Sequence, residues 1–168
     1  AIVRRQPFGG CKRSCFGRGS KAGGPNYLSQ LMHAEEREVP QCSASLPPAV
    51  KRLEKQLDTE LVAKQTWSAS AEAYGNFFSK EHDPSRLIGQ DNTLRFVAHA
   101  GAVVRVPADS NRSDACRALA AALTARCRLS VSCSPGSNDA YSFEGIPVFE
   151  ESAEDLLLRL QDEAPARV

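Results

Sequence analysis

Cysteine and histidine are the residue types in this chain that could act as nucleophiles, redox pairs or metal ligands. The cysteines stand at 11, 15, 42, 116, 127 and 133, and the histidines at 33, 82 and 99. The pair Cys11 and Cys15 is a weak zinc signal, because neither a second close pair nor spaced histidines accompany it. We therefore predict reduced, packed thiols, with neither a metal site nor a disulfide framework.

Residues 1–30 form a glycine-rich, basic stretch of the kind that approaches anions. They contain six of the 11 glycines, six basic residues and no acidic one, whereas the whole chain has 21 basic and 20 acidic residues. Glycine at this density disfavours a helix and lets the backbone approach a ligand closely, which predicts a loop. A phosphate-binding loop is excluded, because Ser20 precedes Lys21 and Ala22 follows it.

An RNA-binding interpretation of the same stretch would use Phe8, Phe16 and Tyr27 as base-stacking groups. The stretch fits no nucleic-acid-binding module, however. The net charge of +1 also gives the whole chain no long-range attraction to a polyanion. We therefore predict no nucleic-acid partner.

Two strings within this stretch carry a family resemblance. Residues 6–14 read Gln-Pro-Phe-Gly-Gly-Cys-Lys-Arg-Ser, and residues 17–28 read Gly-Arg-Gly-Ser-Lys-Ala-Gly-Gly-Pro-Asn-Tyr-Leu. The first string resembles the closing motif of the aldehyde dehydrogenase superfamily. The second is similar to the L-glutamate γ-semialdehyde dehydrogenase branch, also called 1-pyrroline-5-carboxylate dehydrogenase. Residues 81–84 and 91–96 resemble the C-terminal extension of longer members, such as the bifunctional proline utilization flavoprotein of many bacteria.

The resemblance implies a substrate pocket in this chain but no catalytic residue. In the family a cysteine thiolate attacks the aldehyde, NAD accepts the hydride and a glutamate activates water, and these sites all lie upstream of the motif. Four positions carry over as substrate-binding residues: Phe8, which lines the aldehyde channel, and Ala22, Gly23 and Gly24, whose backbone N–H groups anchor the substrate α-carboxylate. No cofactor-binding or metal-binding residue carries over.

Amphipathic spacing predicts a helix that begins at Pro48. We expect it to continue toward Phe78 with a break near Ser68–Ser70, and to stop at 82–84, where a proline follows Asp83. The aromatic residues near its end predict packing against a neighbouring part of the protein.

The last part of the chain predicts alternating strands and helices. Leu94–Val97 and Ala102–Val106 are strand-like runs joined near Gly101. A helix capped by Ser113 or Asp114 should follow, and then a strand over 129–132, which makes a β–α–β unit. A final helix should begin at Ser152, where a capping box precedes a run of leucines.

We predict three segments and an α/β fold class. Residues 1–30 are the end of an aldehyde dehydrogenase catalytic domain with the substrate anchor loop, 31–84 a helical connector, and 85–168 a small α/β domain. The fold is thus expected to be a C-terminal fragment of an aldehyde dehydrogenase fold, followed by the connector and a small Rossmann-like β–α–β unit. That unit has Pro107–Asn111 where a nucleotide-binding turn would have glycines, which predicts no cofactor there.

The implied function is the C-terminal part of an NAD-dependent L-glutamate γ-semialdehyde dehydrogenase of proline catabolism, incomplete and inactive alone. Its implied partners are glutamate γ-semialdehyde and the upstream catalytic domain, with NAD bound only in the full-length enzyme; a homo-oligomer is compatible with this. The alternative is a non-catalytic structural or assembly module derived from that family. The sequence has no secretory signal and no apolar run of about 18 residues, which predicts a cytoplasmic protein without a membrane span.

Overall fold

The computed structural model describes residues 8–9, 22–23, 27, 31–33, 35, 38, 42–56, 61–136 and 143–162. The chain divides into two compact units, one formed by 1–38 and 77–96 and the other by 39–76 and 97–168. The described elements are helices, a two-stranded antiparallel sheet and a three-stranded parallel sheet, so the α/β class is confirmed. The segment boundaries predicted after residues 30 and 84 were based on the family resemblance and not on how compact each part of the chain is. They stay a prediction.

Two helices stand in the first part of the larger unit. Helix α1 is Pro48–Gln56 and helix α2 is Leu61–Ala73. Proline suits the first position of α1, because its fixed φ is helical and its missing N–H is not needed there. The apolar face of α1 is buried, with Val50 and Leu53 exposed by only 0% and 2%.

Helix α2 runs through Ser68–Ser70 without interruption, so the predicted break there is wrong. The Ser70 hydroxyl donates to the Thr66 carbonyl at 3.0 Å, which satisfies the hydroxyl inside the helix. The helix then widens into a π-helical turn, Tyr74–Phe78. The helical segment therefore ends at Phe78, before the stop that the sequence predicted at 82–84.

A short antiparallel pair follows the π-helical turn in the smaller unit. Strand β1 is Glu81–His82 and strand β2 is Leu94–Arg95, with Glu81 opposite Arg95. The sequence predicted a longer second strand, over Leu94–Val97, and did not predict β1. Two-residue strands carry no periodicity, and only their pairing defines them.

Aromatic side chains pack around this strand pair. The rings of Phe77 and Phe78 meet edge to face at a centroid distance of 5.3 Å, and those of Phe78 and Phe96 at 5.0 Å. The Nε2 atom of His82 lies 2.9 Å from the carbonyl oxygen of Phe77. The cluster thus holds the end of the π-helical turn against the two strands.

The larger unit contains a parallel sheet of order β3-β4-β5. Strand β3 is Ala102–Val106, β4 is Leu129–Cys133 and β5 is Val148–Glu150. Helix α3, Arg112–Thr124, connects β3 to β4 and completes the predicted β–α–β unit. The sequence did not predict β5, because its three residues lie between a proline and acidic residues.

The N-cap of helix α3 lies two or three residues earlier than predicted. Asn111, rather than Ser113 or Asp114, is its N-cap, and the Asn111 side-chain oxygen accepts from the Ser113 N–H at 2.9 Å. Its apolar residues Ala115, Leu119 and Ala120 are buried.

One face of the sheet and the helices enclose a single apolar cluster in the larger unit. Val104, Val131 and Val148 stand side by side across the three strands and all belong to it. Trp67 of α2 and Leu119 of α3 pack into the same cluster, with exposures of 1% and 0%. This burial fixes which side chains remain on the opposite face of the sheet.

Helix α4, Ala153–Asp162, begins at the capping box that the sequence predicted. The Asp155 N–H donates to the Ser152 hydroxyl oxygen at 3.0 Å, and that hydroxyl donates to the Asp155 carboxylate at 2.9 Å. The two reciprocal bonds start the helix directly after β5.

Candidate functional site

The structure brings together the two halves of the sequence motif. The Phe8 N–H donates to the Ala22 carbonyl oxygen at 2.9 Å, and the two residues form an isolated antiparallel bridge. Phe8 is 43% exposed, so its ring is available on one side of this bridge. A chain reversal therefore places an aromatic side chain beside the backbone of the second string.

Gly23 directly follows the bridge with φ +69°, in the left-handed region that side chains with a Cβ disfavour. A residue in this region turns the backbone sharply, and neighbouring N–H groups that point to one side can bind a carboxylate. Ala22 and Gly23 are both half-buried. Of the four predicted substrate-binding residues, Phe8, Ala22 and Gly23 thus lie together, and Gly24 is outside the described residues.

Two buried cysteines, Cys116 and Cys133, are poorly suited to act as nucleophiles. Burial raises the pKa of the Cys116 thiol and of the Cys133 thiol, in the latter case helped by the nearby Glu150 carboxylate. A raised pKa lowers the thiolate fraction on which attack depends. Cys42, Cys116, Cys127 and Cys133 are all free thiols. Cys11 and Cys15, the weak zinc signal, lie outside the described residues.

A polar cluster that the sequence did not predict occupies the sheet face opposite the apolar cluster. The Arg105 guanidinium donates through Nη1 to the Ser132 hydroxyl at 2.8 Å and to the Glu151 carbonyl at 2.9 Å. Arg159 of α4 binds the Glu151 carboxylate through two atoms, Nε at 3.0 Å and Nη2 at 2.6 Å. One sequence signal could have indicated this cluster. Arg105 stands between valines in β3, and Ser132 stands between apolar residues in β4, so both side chains leave the apolar face.

The Glu151 carboxylate is the most strongly perturbed acid among the described residues. Its hydrogen bonds from Arg159, helped by Ser132 and the charge of Arg105, lower its pKa from 4.5 to about 2. The Glu151 and Arg159 side chains are 10% and 15% exposed. Arg159 also lies over the Phe149 ring, 4.2 Å from its centroid. A carboxylate with so low a pKa is a poor general base near neutral pH. Its hydrogen-bond partners indicate a structural role, in which it connects the end of β5 to α4.

The connection from β3 to α3 has the wrong chemistry for a nucleotide phosphate. A β-turn replaces the glycine-rich turn, with the Ser110 N–H donating to the Pro107 carbonyl at 3.1 Å. The Asn111 side chain occupies an N–H group at the start of α3, and Asp114 adds a carboxylate to the first turn. The Asp114 carboxylate pairs with Arg117 at 3.1 Å, and the Asn111 side chain has already taken an N–H group that a phosphate would otherwise bind.

A cavity of about 570 Å³ lies at the amino ends of β3 and β4. Gly101, Val103, Ser130 and Leu160 are among its lining residues. Arg128, the one charged residue among the described lining residues, donates through Nε to the Ala100 carbonyl at 2.9 Å. Parallel sheets bind ligands at the carboxyl ends of their strands, so this position does not indicate a cofactor site.

Within the described ranges, no three His, Cys, Asp or Glu side chains gather in a way that could hold a metal ion. A helix long and apolar enough to cross a membrane does not occur among those residues either. A scan against protein-family models found no match to the chain, and searches of the curated proteins and of the solved structures also found none.

Proposed function

We propose that the chain is the C-terminal part of an NAD-dependent L-glutamate γ-semialdehyde dehydrogenase of proline catabolism. Phe8 lines the channel for the aldehyde, and the backbone of Ala22, Gly23 and Gly24 binds the substrate α-carboxylate. The nucleophile, the water-activating base and the NAD site belong to the upstream catalytic domain. The chain is therefore incomplete and inactive alone.

The observation that carries this proposal is the backbone bridge between Phe8 and Ala22. The substrate has an apolar middle between its aldehyde and its α-carboxylate, so its pocket needs an apolar wall close to an anion-binding backbone. The 2.9 Å hydrogen bond supports that arrangement, because it sets the aromatic residue next to the peptide that leads into Gly23. The left-handed φ of Gly23 supports the role of the backbone as the donor.

The rest of the chain fits the same proposal as a non-catalytic extension. Helices α1 and α2 belong to the connector, and the β3–α3–β4 unit with β5 and α4 is a small Rossmann-like domain that follows the aldehyde dehydrogenase part. The turn at Pro107–Ser110 and the capping of α3 by Asn111 support a structural use of this domain rather than NAD binding.

Reconstitution tests the proposal directly. NADH formation from glutamate γ-semialdehyde is measured with the 168-residue chain alone, with the polypeptide encoded upstream of Ala1, and with both joined in frame. We expect turnover only in the joined protein. Turnover by the chain alone would contradict the assignment, as would an upstream reading frame that lacks a cysteine-containing dehydrogenase domain.

A structural or assembly module derived from the same family is the second candidate. The observation that favours it is the extent of structural bonding at the one perturbed carboxylate described, Glu151, which holds an arginine instead of facing an open site. Under this alternative the joined protein keeps its activity when Phe8 is replaced by Ala. Under the dehydrogenase proposal the same change lowers kcat/KM for the semialdehyde.

A further inference from the structure

At one edge of the parallel sheet, the outward-facing backbone groups have no hydrogen-bond partner among the described residues. The Ala102 N–H donates to the Arg128 carbonyl at 2.8 Å, and the Ser134 N–H donates to the Val106 carbonyl at 3.2 Å. In a parallel pair alternate residues face the same neighbour, so Ala102, Val104 and Val106 all bond toward β4. The N–H and C=O groups of Val103 and Arg105 consequently face away from β4, and no described backbone group bonds to them.

The edge of β3 also lacks the features with which proteins protect exposed strands. The opposite edge, β5, has only three residues, follows Pro147 and carries Glu150. Strand β3 has five residues, four of them apolar. Its one charged side chain, Arg105, donates hydrogen bonds to Ser132 and to the Glu151 carbonyl. It therefore does not protect the edge against pairing with another strand.

We infer that two copies of the chain associate by antiparallel pairing of β3 with β3, with Val104 at the twofold axis. Val103 of each copy then lies opposite Arg105 of the other. Both are residues whose N–H and C=O groups point outward, and in an antiparallel hydrogen-bonded pair the two residues exchange both bonds. The register therefore satisfies every outward-facing backbone group of Val103 and Arg105.

Neighbouring registers do not achieve this. Centring the pair on Arg105 sets two arginines directly opposite each other, and like charges in that position are unfavourable. Centring it on Val103 brings Arg105 opposite Gly101, which lies before the strand. The Val104 register avoids both problems, and this is why a second copy fits the edge better than an arbitrary extended peptide.

The same register places the second copy beside the cavity at the amino ends of β3 and β4. Gly101 and Ala102 line that cavity. With Val104 on the axis, Ala102 lies opposite Val106 of the second copy and Gly101 opposite Pro107. The second copy thus runs along the open rim of the cavity. On the core face, Val104 meets its own copy and extends the apolar cluster into a six-stranded sheet.

Amide hydrogen exchange over a protein concentration series tests the pairing in the intact chain. We expect protection at Val103 and Arg105 that increases with concentration, as molecular mass moves from 18.2 kDa toward twice that value in sedimentation. Val104 and Val106 should be protected at every concentration, because they bond to β4. Exchange at Val103 and Arg105 that does not depend on concentration, with a constant mass of 18.2 kDa, overturns the inference.

Proline substitution separates pairing from folding. Val103→Pro removes an outward N–H but no bond to β4, and prolines are tolerated at strand edges. We expect it to raise the dimer Kd by about 100-fold, since each dimer loses two donors. Ala108→Pro is the matched control, because Ala108 is exposed and follows Pro107 in the β-turn that closes at Ser110. An equal Kd for Val103→Pro and Ala108→Pro, both folded by circular dichroism, contradicts the pairing.

Cross-linking supplies the register if Val103→Pro unfolds. Val104→Cys should form a disulfide between two copies under mild oxidation, because residues on the axis form a close, non-hydrogen-bonded pair. Val103→Cys should form far less, since Val103 faces Arg105 of the second copy. Cross-linking at Val103 that equals or exceeds cross-linking at Val104, after subtraction of the unsubstituted chain, rejects this interface.

Discussion

The parallel-sheet unit and the motif loop differ in what the sequence and the structure each contribute. In the sheet unit, strand register and the apolar cluster are defined, and the polar side chains of Arg105, Glu151 and Arg159 make structural bonds. In the loop, few residues are described, and the chemistry comes from the residue types and from one backbone bridge. The comparison teaches that burial specifies the fold in one region, while the function that we propose depends on a short backbone turn in the other.

The largest change in unfolding free energy is expected from a substitution in the apolar cluster. Leu119→Ala leaves a cavity beneath α3, where Leu119 is fully buried, and we expect it to lower the free energy of unfolding by about 3 kcal/mol. Leu158→Ala is the control, because Leu158 is 60% exposed on α4 and should change stability by less than about 0.5 kcal/mol. Urea denaturation measures both. Equal losses would mean that the cluster does not carry the stability of this unit.

The ion pair between Glu151 and Arg159 should give the next largest effect. Glu151→Gln leaves the Arg159 charge largely buried without its carboxylate partner, and we expect a loss of about 2 kcal/mol at neutral pH. Glu81→Gln is the control, because its pair with Arg95 is 3.8 Å long and well exposed. A loss no larger than that of Glu81→Gln would argue against the role of the pair as a tie between β5 and α4.

The same carboxylate makes a signed prediction about pH. Its folded-state pKa of about 2 is below the ordinary value of 4.5, so its stabilisation is full above 4.5 and is lost as the pH falls toward 2. The difference in unfolding free energy between the unsubstituted chain and Glu151→Gln should therefore shrink over that range. A difference that stays constant from pH 6 to about 2 would show that the carboxylate charge is not involved.

A smaller effect is expected at the start of α3. Asn111→Ala removes the acceptor for the Ser113 N–H and should lower stability by about 1 kcal/mol. Asn111→Asp keeps an oxygen acceptor and should retain most of the stability. Thermal unfolding of the three proteins measures the difference. A loss for Asp as large as that for Ala would indicate that capping is not the reason.

Much of the sheet unit could be predicted from the sequence, because its helices and longer strands have clear periodicity. The start of α1, helices α3 and α4, and strands β3 and β4 were predicted with small boundary errors. The continuous α2 was not, because the serines at 68 and 70 resemble a break until the hydroxyl of Ser70 finds a carbonyl within the helix. Strands β1 and β5 were missed because two or three residues hold no pattern of their own.

The candidate sites show a similar division. The motif predicted which residues belong to the loop, and the structure added the bridge from Phe8 to Ala22 and the conformation of Gly23. The polar cluster of Arg105, Ser132 and Glu151 was missed, because its members are far apart in sequence and only the sheet register brings them together. The open edge of β3 was equally hidden, since unpaired backbone groups leave no mark on residue type.

The central claim is that a backbone turn binds the substrate carboxylate, and steady-state kinetics of the joined enzyme test it most directly. Gly24→Val should raise KM for glutamate γ-semialdehyde by about 10-fold or more, because a β-branched residue obstructs close backbone approach. KM for a simple aldehyde without a carboxylate should change much less. Lys21→Ala is the matched control and should do little if the donors are backbone groups. Equal losses on both aldehydes, or a larger effect from Lys21→Ala than from Gly24→Val, would contradict the account.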